Sequence, residues 1–175
     1  MRNKTAVIGL GNLLLSDEGA GLHALHFLRK KLTGDTGGIK NILDYGEEEI
    51  PETDLGVDLV EAGTPGMNLL HQFDEREKII FVDAGNCGLN PGEFRRFTPD
   101  EVFSLKKKAG YSLHEFDLIK FIEFARNMGL AGNVELVIYC IQASEVRMSE
   151  ELSPIVRENL PYLVDDLFNE INRGR

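Results

Sequence analysis

Nowhere in this chain do apolar residues run for the about 18 positions that a membrane span requires, so no transmembrane segment is expected. Met1, Arg2, Asn3 and Lys4 lead directly into a strand pattern, and no signal peptide is expected. Basic residues are also short: 19 Lys and Arg face 29 Asp and Glu. The resulting formal charge of −10 has the wrong sign for nucleic acid, whose phosphates demand a basic face. The single basic run, Lys106-Lys107-Lys108, reads as a solvated helix end. Cysteine is nearly absent. Cys87 and Cys140 make no Cys-x-x-Cys motif and no disulfide framework, which suits a reducing cytoplasm.

What remains is an ordinary globular composition, 42% hydrophobic and 27% charged over 175 residues, most economically one domain spanning 1–175. Residues 5–8, 57–60, 78–82 and 134–141 form short, β-branched runs that are apolar at most positions, as strands buried on both faces of a parallel sheet are. Leu22, Leu25, Leu28 and Leu32 recur at helical spacing between them. A second helix begins near Ser112, where Ser112 and Glu115 have capping-box spacing, and stops at Gly129. A third opens at Ser153-Pro154, and Pro161 is expected to kink or restart it. Residues 92–97 read as an extra edge strand, followed by a short helix from Thr98-Pro99-Asp100. Residues 33–55 are the least patterned, an excursion with room for one strand at 39–43. The expected fold is α/β: a single-domain three-layer sandwich, its sheet mostly parallel and twisted, with helices on both faces.

The first strand enters "GLGNLLLSDEGAG". Gly9 and Gly11 would start a dinucleotide fingerprint, but its third glycine should fall at Leu14, and no Gly-Lys-Ser or Gly-Lys-Thr follows for a phosphate loop. Asp17 and Glu18 suit a helix start electrostatically, yet they would repel a pyrophosphate from that same end. The nucleotide reading fails on sign.

Asp83 closes the run Ile79-Ile80-Phe81-Val82, which puts it at the carboxyl edge of a central strand, where open α/β sheets bind ligands. It can serve as a metal ligand, as a general base, or simply as an acceptor for the loop 84–88. His114 falls in the first turn of the second helix, at the same sheet edge. Glu18, Asp83 and His114 together make a donor set for a borderline divalent cation, with coordination positions left open. His23 and His26 stand i, i+3 on the first helix, but no carboxylate accompanies them and leucines flank them. His71 is expected to face solvent. Cys87 has no histidine near it in sequence to activate it, which argues against a thiol nucleophile. In "EAGTPGMNLL", Glu61, Gly63 and Thr64 either punctuate a strand–turn–helix or line the same edge with backbone amides for a peptide.

Taken in order, "GLGNLLLSDEGAG", "EAGTPGMNLL", "IIFVDAG", "SLHEFDL" and the closing "LSP…LP" helix resemble the hydrogenase maturation peptidases, over nearly the whole chain. The resemblance implies an endopeptidase of similar α/β fold that trims the C-terminus of the large-subunit precursor of a nickel–iron hydrogenase. It implies nickel binding by Glu18, Asp83 and His114, with the nickel carried by the substrate as a recognition element and cadmium or zinc able to substitute. The expected partner is that precursor, and a cytoplasmic monomer is expected, with no nucleic acid and no membrane insertion. The water-activating group stays open between Asp83 as base and a metal that polarises the scissile carbonyl. The rival of another class is a non-catalytic, nickel-dependent sensor or escort of the precursor. The family commonly has aspartate or glycine where Glu61 stands, and the 33–55 excursion looks longer than usual.

Overall fold

Five strands form one sheet in the order β2-β1-β3-β5-β4. They are β1 (Thr5–Gly9), β2 (Asp58–Glu61), β3 (Lys78–Gly85), β4 (Phe94–Phe97) and β5 (Glu135–Gln142). The computed structural model describes residues 2–34, 55–106 and 113–173, apart from the side chains of 105–106 and 113–117. Three of the four pairings are parallel; at the rim β4 lies antiparallel on β5. The strand expected at 39–43, the rest of the 35–54 segment and the Ser112–Glu115 capping box lie outside the described residues.

Side chains alternate along the buried strands and so feed two cores. Val7, Ile80, Val82, Val137, Tyr139 and Ile141 pack on one face beneath α1 (Ala20–Thr33) and α4 (Pro154–Asn172). Ile8, Ile79, Phe81, Leu136, Ile138 and Cys140 pack on the other beneath α3 (Leu113–Asn127) and the 3₁₀ segment Met67–Phe73. α2 (Pro99–Lys106) lies against α3, its start closed by a reciprocal pair: Thr98 N–H donates to Glu101 Oε2 (2.7 Å) and Glu101 N–H to Thr98 Oγ1 (3.3 Å). This is the expected three-layer α/β sandwich.

Two local expectations are corrected. Pro161 does not restart α4, which runs unbroken from Pro154 to Asn172. The seam Val156, Leu160, Leu163, Val164 and Leu167 is buried on both sides of the proline, and that apolar anchorage outweighs the lost backbone bond. Cys87 and Cys140 are joined as a disulfide, with Cα atoms 6.4 Å apart, where no disulfide was expected. Their sequence separation of 53 carries no pairing signal; they meet because β3 and β5 are neighbours and Asp83 lies opposite Cys140 in the register.

The amino edge of the sheet is closed by charge. Glu170 on α4 is almost fully buried and accepts from Lys78 Nζ (2.6 Å), Arg96 Nε (3.0 Å) and Arg173 Nη1 (3.0 Å). Burial alone would raise its pKa, but the hydrogen bonds from Arg96 and Lys78 outweigh burial and hold the carboxyl below its usual range. The neutral counterpart is His23, buried in α1, whose pKa falls to about 4 through burial first and then the nearby His26 and Arg157 charges.

Both groups set the acid response. Glu170 contributes stability above the usual carboxylate pKa, and that contribution is lost as pH falls through its lowered folded value. Glu170→Gln should cost about 3 kcal/mol at neutral pH, because Lys78 is left buried and uncompensated, and should leave a shallower loss below pH ~4 in urea titrations. At His23 the unfolded chain takes up a proton below pH ~6.5 that the folded chain refuses until about 4. Stability should therefore decline across that window, and His23→Leu should flatten the decline by roughly 3 kcal/mol at its acid end, as read by chemical denaturation.

Candidate active site

The sheet order places β1 between β2 and β3, so the chain leaves the carboxyl end of β1 toward β2 on one side and that of β3 toward β4 and β5 on the other. A crevice opens at such a switch point. Its depth comes from unequal strand lengths. Gly9, the last residue of β1, pairs with Val82, after which Leu10 N–H closes on Val82 O (2.8 Å) and the chain turns away. β3 continues to Gly85, so Asp83 emerges past the end of β1 with its only strand neighbour, Cys140, on the far side. β3 is thus longer than the run 78–82 suggests, and Asp83 sits within it, not at its end. The result is a cleft of about 100 Å³, room for some three waters, lined by residues that include Glu18, Asp83, Gly11, Asn12, Gly63 and Thr64.

The glycine turn builds the cleft wall and is itself filled by protein. Gly11 has φ of +127° and donates its N–H to Gly63 O (3.1 Å), while a Cβ there would collide with Glu18 O. Gly21, in the first turn of α1, approaches Leu10 O and Val82 O too closely for any side chain. Glycine here lets α1 start hard against β1 and β3. The space a pyrophosphate would need is taken by the backbone at Glu18.

The acidic pair divides. Asp17 turns inward and is completely buried, bonded to Ser144, Glu145 and Ser153, whereas Glu18 is half-buried and lines the cleft. Ser153 is the N-cap of α4, with Pro154 following it into the helix, and its hydroxyl makes no cap bond but donates to Asp17 Oδ2 (2.8 Å). Asp17 is the residue that sequence reasoning passed over; its one signal was an acid beside an acid where one would suffice.

Asp83 is nearly buried, and its Oδ1 accepts the N–H of Ala84 (2.9 Å), which fixes the carboxylate in the cleft. Glu18 and Asp83 therefore line the same cleft. α3 begins at Leu113, so position 114 belongs to its first turn, but the His114 side chain is outside the described residues. Among the described residues no three His, Cys, Asp or Glu side chains group to hold a metal. Gly63 and Thr64 line the cleft, while Glu61 stays exposed at the end of β2 and is not among the lining residues. Of the competitors, His23 is buried, His71 is exposed, and Cys87 is tied up in its disulfide.

Two carboxylates lining one cleft with a glycine-threonine loop suit hydrolysis of a chain laid across the sheet edge. Comparison with known proteins points the same way. Residues 45–170 match the family described as HycI, hydrogenase maturation protease. The chain is 25% identical over 163 residues to the hydrogenase expression/formation protein HupD of Bradyrhizobium diazoefficiens, covering 93% of this chain and 75% of that one. The [NiFe] hydrogenase maturation protease HybD from Thermococcus kodakarensis superposes with a TM-score of 0.73 at 25% identity, covering 98% and 99% of the two chains. The hydrogenase maturating endopeptidase HybD from Escherichia coli shares the fold, with a TM-score of 0.72 at 22% identity over 99% and 94%. With the family match spanning most of the chain and the cleft in place, this protein belongs to the hydrogenase maturation protease family and is a protease.

Proposed function

We propose that this protein removes the C-terminal extension of a nickel–iron hydrogenase large-subunit precursor after nickel has been inserted, reading the substrate's nickel as its signal. The observation that carries this reading is the meeting of Glu18 and Asp83 in one cleft at the switch point, next to the helix whose first turn holds His114. Carboxylate oxygens with an imidazole suit a borderline ion such as nickel, and their small number leaves room for ligands from the substrate. The chain's net charge of −10 favours a cationic centre at the mouth.

In this reading the nickel belongs to the substrate, and its capture by Glu18, Asp83 and His114 holds the scissile peptide in register. The loop at Gly63 and Thr64 supplies backbone and hydroxyl donors along the opposite wall. Asp83 acts as base: it takes a proton from water as the oxygen attacks the scissile carbonyl carbon, and returns it to the amine nitrogen when the C–N bond breaks. Exposed Leu14, Met67 and Met148, each within two residues of a cleft-lining residue or of its bridge partner Ser149, fit a protein-sized substrate.

Incubation with nickel-loaded and nickel-free precursor, read by the mass of the large subunit, tests the reading. Loaded precursor should be shortened and nickel-free precursor left intact; equal cleavage of both would overturn the role of nickel while leaving the protease. Glu18→Gln, Asp83→Asn and His114→Ala should each lower the processing rate by about 100-fold or more, Asp83→Asn the most, with thermal stability within about 2 kcal/mol of the parent. Collective unfolding of the three would mark them as structural.

A further inference from the structure

Asp17 adjoins Glu18 and faces the opposite way. Its carboxylate accepts four hydrogen bonds, at Oδ2 from Ser144 N–H (2.8 Å), Glu145 N–H (3.0 Å) and the Ser153 hydroxyl (2.8 Å), and at Oδ1 from Ser153 N–H (2.8 Å). The donors lie 127 to 136 positions away, in the turn after β5 and at the threshold of α4. A charge this deep is costly unless its hydration is fully replaced, and here it is. A packing role alone would be met more cheaply by an apolar side chain.

The turn that Asp17 anchors needs an anchor. Ser16–Gly19 is a single 3₁₀ turn without a side-chain cap, and it opens on Ser16 at φ of 51°, a left-handed conformation that serine adopts at a cost. Its local backbone bonds are the longer ones: Glu18 N–H to Leu15 O at 3.1 Å and Asn12 N–H to Glu18 O at 3.3 Å. Those that tie it to the far wall are short, namely the Asp17 set and Ser16 N–H to Ser149 O at 2.7 Å.

We propose that Asp17 is a positioning residue for the reaction: it pins the turn against Ser144, Glu145 and Ser153 and thereby aims the Glu18 carboxylate into the cleft. The inference rests on the cleft role given to Glu18 above. Asparagine at 17 is the sharp probe, since it keeps the volume but sets an NH₂ against N–H donors where an oxygen is needed.

The experiment is a double-mutant cycle of Asp17→Asn and Glu18→Gln, with Ser153→Ala beside it. It reads kcat and KM on a nickel-loaded large-subunit precursor, Cd²⁺ affinity by calorimetry, and thermal melting. Asp17→Asn should remain folded, lose about 100-fold in kcat with KM within about 3-fold, and bind Cd²⁺ about 10-fold more weakly. In the Glu18→Gln background the same change should cost less than about 3-fold, because the residue it positions is already disabled. Ser153→Ala, which removes one donor of the four, should show a smaller loss that also vanishes in that background. Full parental activity in a folded Asp17→Asn, or an undiminished loss on top of Glu18→Gln, overturns the proposal. If Asp17→Asn does not fold, the Ser153→Ala cycle decides by the same two outcomes. Parental activity in Glu18→Gln alone removes the cleft assignment of Glu18 itself, a failure distinct from that of Asp17.

Discussion

The hydrogen bond from Leu10 N–H to Val82 O ends the pairing of β1 with β3 one residue before Asp83. Everything at the carboxyl edge follows from that early parting. β1 leaves the sheet plane and gives its next residues to a turn, while β3 carries Asp83 and Gly85 onward beside β5. The gap is bounded on one side by Gly11, held to Gly63 O, and on the other by the Asp83 carboxylate. A parallel sheet whose strands ended together would offer a flat rim. This one offers a cleft.

The two edges of the sheet spend their charges differently. At the amino edge Lys78, Arg96 and Arg173 converge on the buried Glu170 and lock α4 to β3 and β4. At the carboxyl edge Asp17 is satisfied by backbone donors and a hydroxyl, and Glu18 and Asp83 line a shared cleft. Opposite charges close an edge and like charges keep one open for a cation, since two carboxylates in one cleft favour whatever brings positive charge between them. The core layers between the edges are almost purely apolar, which keeps this division from blurring.

Much of this was legible in the linear chain. The apolar runs that became β1, β3 and β5 were readable because a parallel sheet covered on both faces demands hydrophobic residues without alternation. Glu18, Asp83 and the 63–64 loop were readable as site candidates because each stands just after a strand pattern or at a helix start, and parallel topology sends all such points to one edge. Pro161 misled as a restart, since a local rule about proline knows nothing of the buried seam that carries α4 past it. The disulfide misled for a related reason: its pairing is set by which segments become neighbours.

The sequence by itself therefore determined which residues would be strand, which helix, and which acids would gather at one end, since these follow from periodicity and from the direction of the chain. Only the tertiary structure decided how each acid is used. Asp17 and Glu18 are chemically alike and adjacent, and no local pattern separates them. Their difference arises from donors more than a hundred positions away that enclose one carboxylate and leave the other at the cleft, because desolvation and hydrogen bonding act through space and not along the chain.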